Sequence, residues 1–163
     1  MTGTVTARTG DDDPLLLDRQ VCFPLYAATN LLNRLYGPIL AEIGLTYPQY
    51  LVMLVLWEHE TQTMGALGAR LYLDSGTLTP MLKRMEAAGL LARTRDPADE
   101  RRVLVTLTAD GKALRARATQ VPATMADGYE VEGVEQLRDT VRQLVSVLAQ
   151  HRTRPRPVPS VAG

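Results

Sequence analysis

The chain has a single cysteine, Cys22, and two histidines, His59 and His151, among its 163 residues. One thiol excludes an intrachain disulfide framework, and one cysteine with two scattered histidines does not make a zinc ligand set, so neither a metal nor another cofactor is expected. Aromatic residues are scarce, at 5% of the chain. Long apolar runs are missing too: the longest, Tyr50 to Trp57, falls far short of the roughly 20 residues that cross a bilayer. The N-terminus lacks the apolar core of a secretory signal, which places the protein in the cytoplasm, away from membranes. Net charge is also absent, with 18 Lys and Arg against 18 Asp and Glu. What remains, 45% apolar and 22% charged residues, suits one soluble domain with a core and no internal repeat.

Zero net charge hides an uneven distribution. Residues 63 to 119 hold ten Lys or Arg against six Asp or Glu, whereas 120 to 150 hold two against five. The basic share is where a nucleic-acid contact would need it. Both ends read as disordered: 1–13 is rich in Thr, Gly and Asp, and 152–163, RTRPRPVPSVAG, is interrupted by proline and cannot form a helix. Between them, 14–151 reads as one domain.

The most informative stretch is Leu71 to Gly111, LYLDSGTLTPMLKRMEAAGLLARTRDPADERRVLVTLTADG. Leu78, Leu82 and Met85 share one helical face, while Gly76, Pro80, Lys83, Arg84 and Ala87 share the other. The outward face is small and basic, which lets a helix approach base edges in the major groove while its flank neutralises phosphates. Asp74 or Ser75 serves as N-cap and Gly89 ends the helix. Pro80 lies beyond the first turn if Asp74 is the cap, and within it if the regular helix begins near Thr77.

Leu90 to Arg95 and the alternating run Val103 to Leu107 flank a polar turn, Asp96 to Glu100, and so read as a two-stranded hairpin. Arg93, Arg95, Arg101 and Arg102 sit on or beside it, and an arginine at a hairpin tip suits a narrow minor groove. Asp99 is placed to hold Arg101 or Arg102. Alone, such a hairpin is a solvated surface feature with ordinary ion pairs; behind the preceding helix it makes a winged helix-turn-helix. The candidate DNA-contacting residues are Ser75, Gly76, Thr77, Thr79, Pro80, Lys83 and Arg84 on the helix, with Arg93, Arg95, Asp99, Arg101 and Arg102 on the hairpin.

This block resembles the DNA-binding domain of the MarR family of bacterial transcription regulators, whose wing carries an acidic residue two before an arginine, here Asp99 and Arg101. Upstream, VCFPLYAATNLLNRLYGPIL, GLTYPQYLVMLVLWEHE and LYLDSGTLTPMLKRME are similar to the organic hydroperoxide resistance regulators (OhrR), a redox-sensing branch of that family. The likeness covers roughly Asp18 to Pro122. It implies a mainly α fold with a small β-hairpin: a winged helix-turn-helix with a DNA-reading lobe at 63–108 and long dimerisation helices at 14–45 and 109–151.

Periodicity points to the same layout. Val21, Leu25, Ala28, Leu32, Leu35 and Ile39 alternate at spacings of four and three, as do Val134, Leu137, Val141, Leu144 and Leu148. These stripes pack either within one chain or between two. A homodimer fits DNA reading, because two lobes would meet half-sites of a pseudo-palindromic operator about 34 to 36 Å apart on the duplex.

A lone helical cysteine is ordinarily an inert core residue. Cys22, however, begins a second stripe with Tyr26, Thr29, Asn33 and Tyr36, rich in hydroxyls able to hydrogen-bond a thiolate. Cys22 and Tyr36 are fourteen positions apart, about 21 Å along one helix. They cannot meet within a chain, but an antiparallel crossing of two copies near Thr29 would put Tyr36 of one beside Cys22 of the other. The OhrR resemblance implies the same arrangement, with Cys22 held by Tyr36 and Tyr47 across the dimer. Pro24 departs from that family's pattern: a helix running through it frees the carbonyl of Gln20, and a helix beginning at it puts Cys22 at the N-terminus, where a thiolate is favoured. A thiol of pKa about 8.5 is roughly 3% ionised at pH 7 and one near 6 about 90%, a difference of about 3.4 kcal/mol that two charge-assisted hydrogen bonds can supply.

The expected function is therefore a repressor that binds double-stranded operator DNA and releases it when an organic hydroperoxide oxidises Cys22, with a low-molecular-weight thiol capping the sulfur. Two rivals stand beside it. One is a MarR-type repressor controlled by a small aromatic ligand, with Cys22 inert. The other is a thiol peroxidase, against which the sequence offers no general base or oxyanion hole near the cysteine, so the chain is not expected to be an enzyme.

Overall fold

The computed structural model describes residues 13–126 and 133–152. Nearly all of the arm assigned to 1–13 lies outside the described residues, as do 127–132 and the tail beyond Arg152. The chain divides into two compact units, Met1–Met125 and Ala126–Gly163. The first opens with a 3-10 turn, Leu17–Arg19, followed by α1 (Cys22–Ala41), α2 (Tyr47–His59), β1 (Thr61–Thr63), α3 (Met64–Leu71), α4 (Ser75–Ala87), β2 (Leu91–Asp96), β3 (Asp99–Leu107), α5 (Ala109–Ala118) and α6 (Gln120–Ala126). The second holds α7 (Val134–Arg152). Among the described residues no helix is long and apolar enough to cross a membrane.

The helices start where side chains satisfy their orphan N–H groups. Thr46 and Gln49 form a reciprocal capping box on α2, Thr63 accepts from Ala66 N–H at 3.0 Å on α3, and Thr108 accepts from Gly111 N–H at 3.0 Å on α5. On α4 the cap is Asp74, whose carboxylate takes the Thr77 N–H at 2.8 Å. The helix therefore begins at Ser75 and Pro80 lies inside it, beyond the first turn. Gly89, at φ +75°, turns the chain out of α4 as expected.

Leu78, Met81, Leu82 and Met85 of α4 are buried, joined by Val52, Met53 and Leu56 of α2, Leu67 of α3, Leu91 of β2 and Val105 of β3. Burial of these aliphatic side chains is the main force holding the lobe together. Gly111 allows a close approach: a Cβ there would lie 2.0 Å from the Leu90 carbonyl oxygen. Next to it, the Trp57 indole N–H donates to the Gly111 carbonyl at 2.9 Å and Lys112 pairs with Glu60 at 2.7 Å, tying α5 to the end of α2.

The sheet differs from the expected two-stranded hairpin. It has three antiparallel strands in the order β1-β3-β2, with Thr61 opposite Thr106 and Thr63 opposite Leu104. Only three polar residues form β1, so it leaves no alternating apolar trace; pairing with β3 makes it a strand. The hairpin is also longer than its apolar alternation indicated. β2 and β3 pair as far as Asp96 and Asp99, with an irregularity at Arg95/Asp96, which leaves Pro97 and Ala98 as the turn.

Candidate functional site

On α4 the exposed face carries Ser75, Gly76, Thr77, Pro80, Lys83 and Arg84. Lys83 and Arg84 enter no ion pair among the described residues. The four buried side chains on the opposite face fix which way this one points. Thr79 is turned differently: it is half-buried and its hydroxyl lies 3.7 Å from the Met64 sulfur, toward α3. Hydrogen bonds from the Thr77 N–H and hydroxyl hold the Asp74 carboxyl below the usual carboxylate range.

The hairpin arginines are organised by carboxylates. Asp99 accepts from the backbone N–H and Nε of Arg101 at 3.2 and 3.1 Å, and these bonds keep its carboxyl below the ordinary range. Arg101 itself is 91% exposed. Arg102 goes mainly to Asp96, at 2.6 Å, with Asp99 farther off at 3.9 Å. Asp96 is the one buried polar or charged residue among those described, and it also accepts from the Ala98 N–H at 2.9 Å. Arg95 donates to the Glu100 carbonyl at 3.0 Å across the hairpin. Arg93 points back toward α4, where Glu86 accepts its backbone N–H at 2.9 Å, Nε at 2.9 Å and Nη2 at 2.6 Å. Sequence reasoning missed Asp96 and Glu86. Asp96 reads as an ordinary turn residue, and Glu86 reaches Arg93 across a helix-to-strand turn that no periodicity spans.

Cys22 is the first residue of α1 and is exposed. Pro24 therefore falls in the first turn, where its missing N–H costs no helical bond, and the Gln20 carbonyl accepts from Phe23 N–H at 3.2 Å. Both geometries expected from the sequence are modified, because the helix starts two residues before the proline. Tyr36 and Tyr47 come together, their ring centroids 4.8 Å apart, and Tyr50 lies 6.2 Å from Tyr36. Burial pushes the Tyr47 and Tyr50 hydroxyls above their ordinary pKa, with Tyr36 adding to the effect. Tyr26 stands outside this cluster, 67% exposed, one turn from Cys22.

A continuous α1 keeps Cys22 about 21 Å from Tyr36 in the same chain. Along α1 only Leu40 is buried, and Phe23, Tyr26, Leu31 and Leu32 are exposed, as is Val21 just before it. In the second unit Val134, Leu137, Val141 and Leu148 of α7 are likewise exposed. Within the first unit, a cavity of about 500 Å³ is lined by Tyr50, Leu54, Trp57, Arg115 and Pro122, among others.

Comparison with known proteins fits this architecture. Residues 34–117 match the family model described as transcriptional regulator SarA/Rot. The organic hydroperoxide resistance transcriptional regulator of Bacillus subtilis is 46% identical over 140 residues, covering 85% of this chain and 95% of its own. The HTH-type transcriptional regulator TtmR of Methylorubrum extorquens is 51% identical over 122 residues, 75% of this chain and 63% of its own. Among solved structures, reduced AbfR of Staphylococcus epidermidis bound to DNA superposes with a TM-score of 0.70 at 34% identity, covering 81% of this chain and 93% of that one. With its helix-turn-helix, three-stranded winged sheet and single cysteine at the head of α1, the chain belongs to the MarR-like winged-helix transcription regulators, in the branch of the organic hydroperoxide resistance regulators.

Proposed function

We propose that this regulator represses transcription as a homodimer on a pseudo-palindromic operator and releases the DNA when an organic hydroperoxide oxidises Cys22 in the cytoplasm. The observation that carries this reading is the separation, along the continuous α1, of Cys22 at its first residue from Tyr36, which meets Tyr47 of α2. Two copies of α1 crossing antiparallel near Thr29 would bring each cysteine to the other chain's tyrosines. The same crossing would cover apolar side chains that α1 leaves exposed, which is a reason for such a face to exist.

In the DNA-bound state, the small and basic face of α4 enters the major groove, with Gly76 and Pro80 close to base edges and Lys83 and Arg84 at phosphates. Ser75 and Thr77 lie at the helix N-terminus, which favours an anion. Arg101 reaches the minor groove, oriented by Asp99, and Arg95 and Arg102 add charge beside it. Arg93 and Thr79 support these contacts from behind.

The chemistry needs the thiolate form of the cysteine. The Cys22 sulfur attacks one oxygen of the hydroperoxide, the O–O bond breaks, and the alkoxide leaves as an alcohol after taking up a proton. The sulfur is left as a sulfenic acid. A small cellular thiol then displaces water from that sulfur to give a mixed disulfide. The chain has no second cysteine to do so. A bulky group at a packed interface would break the tyrosine contacts, tilt the lobes and spoil half-site spacing.

The test is fluorescence anisotropy on an operator duplex, titrated with an organic hydroperoxide with and without a small thiol while mass spectrometry follows Cys22. Wild type is expected to release DNA as the adduct forms, and Cys22→Ser to bind and stay bound. A folded Cys22→Ser that no longer binds would make the cysteine structural. The cavity beside Tyr50, Leu54 and Trp57 favours a second reading, in which Arg115 and the aromatic wall hold a small aromatic anion and Cys22 is inert. Slow alkylation of Cys22 at neutral pH, with release of DNA by such an anion, would support it.

A further inference from the structure

The wing and the recognition helix must be held at a fixed angle if one is to read the minor groove while the other reads the major groove. Six residues lie between Glu86, in the last turn of α4, and Arg93, in the middle of β2. The chain between them turns at Gly89, a flexible joint. Across it, one carboxylate accepts three hydrogen bonds from one residue: the Arg93 backbone N–H at 2.9 Å, Nε at 2.9 Å and Nη2 at 2.6 Å. A two-pronged guanidinium–carboxylate pair fixes direction as well as distance, and the backbone bond anchors the strand itself. Because β2 is an edge strand, a backbone N–H on its open side has no ladder partner, and Glu86 supplies one.

Exposure separates this arginine from its neighbours. The Arg93 side chain is 22% exposed, against 53% for Arg102 and 91% for Arg101. Glu86 takes two of the five guanidinium N–H donors of Arg93, and the burial of the side chain leaves the other three far less open to a phosphate than those of Arg101. From Arg93 to the hairpin turn is about 15 Å of strand, so a tilt of about 10° would move the tip by roughly 2.6 Å. That displacement is nearly half the width of a minor groove about 6 Å across.

We infer that Glu86 is a positioning residue for DNA reading: acting through Arg93, it locks the hairpin against α4, and neither side chain touches the nucleic acid. This inference rests on the DNA-reading assignment above. The sign of the effect is diagnostic, because removing a carboxylate from a DNA-facing lobe should by charge alone tighten binding.

The experiment uses the full chain and a labelled duplex selected from random sequence by the wild-type protein, with Kd measured by anisotropy across a salt series. Thermal melting confirms that each variant is folded. Glu86→Ala is expected to weaken binding about tenfold, the size of one lost groove contact, with Glu86→Gln losing less because it still accepts the backbone N–H. Arg93→Met should weaken binding by a similar factor and leave the slope of log Kd against log salt unchanged. In the double variant the losses should not add, since both break one brace. Binding by Glu86→Ala as tight as wild type or tighter overturns the inference. So does a slope reduced by about one in Arg93→Met, which would make Arg93 a phosphate ligand. If wild type selects and binds no duplex at all, it is the DNA-reading assignment that fails; wild-type binding with an unaffected Glu86→Ala rejects the brace alone.

Discussion

Replacing Arg101 by alanine should damage DNA binding and leave folding alone. The side chain is 91% exposed, and its contacts all go to Asp99: Nε at 3.1 Å and Nη2 at 3.4 Å. Two of the five guanidinium N–H donors are thus engaged, which leaves three for a groove. An exposed pair of this kind adds little to stability, so the melting temperature should not move. If Arg101 reads a groove, its loss costs about 1 to 3 kcal/mol of binding, or roughly 5- to 150-fold in Kd at 25 °C. The assay is anisotropy on a selected duplex at several salt concentrations. A minor-groove role adds a signature: exchanging A·T for G·C pairs under the wing widens the groove and should weaken wild type much more than Arg101→Ala. A folded Arg101→Ala with wild-type Kd and wild-type sensitivity to that exchange would refute the assignment.

Three further outcomes are expected from the lobe itself. Leu82→Ala removes a fully buried side chain from under α4 and should cost about 2 to 5 kcal/mol by chemical denaturation. Gly111→Ala would force a Cβ to 2.0 Å from the Leu90 carbonyl oxygen, and calorimetry should show no cooperative native transition. The Asp74, Glu86 and Asp99 carboxyls are all held below their ordinary values by hydrogen bonds. Their contribution is therefore complete above the unfolded-state values near pH 4 and is lost as pH falls through the lower folded ones. The melting temperature should be flat from pH 7 to about 5 with respect to these groups and fall below about 4, and Asp99→Asn should make that fall shallower.

How much of this was legible in the sequence depends on whether the signal was local. The α4 face was readable because Leu78, Leu82 and Met85 recur with helical period and Asp74 and Gly89 mark the ends; what the pattern did not separate was Met81, which is buried, and Thr79, which is half-buried toward α3. The β3 strand was readable from Val103 to Leu107 by alternation. Its earlier half was not, because Asp99 to Arg102 is all charged and becomes strand only by pairing with β2. β1 was hidden for the same reason, since three polar residues carry no pattern and gain their conformation from Leu104 to Thr106. The carboxylate partners show the limit most clearly. Asp99 to Arg101 is a two-residue step and visible, whereas Asp96 to Arg102 spans the hairpin and Glu86 to Arg93 spans a helix, a turn and a strand.

The cysteine site follows a different logic, because there the sequence supplied a prohibition that the fold then enforces. Helical rise alone keeps Cys22 from Tyr36, whatever packs around them, and α1 is continuous from one to the other. Where α1 begins was not legible: Pro24 fits both a helix passing through it and one starting at it, and the choice rests on Gln20, whose carbonyl takes the Phe23 N–H. Starting at Cys22 resolves the conflict, since proline is tolerated in a first turn. It also puts the sulfur on the exposed end of the helix while Leu40, near the other end, is fully buried against the lobe. In the proposed homodimer, the thiol at the start of α1 and the pair of Tyr36, farther along α1, and Tyr47 of α2 would therefore form one site only between two copies. The stoichiometry of oxidation and the oligomeric state are then a single question: a chain held monomeric should lose the tyrosine contribution to thiol reactivity and react with hydroperoxide like an ordinary exposed cysteine.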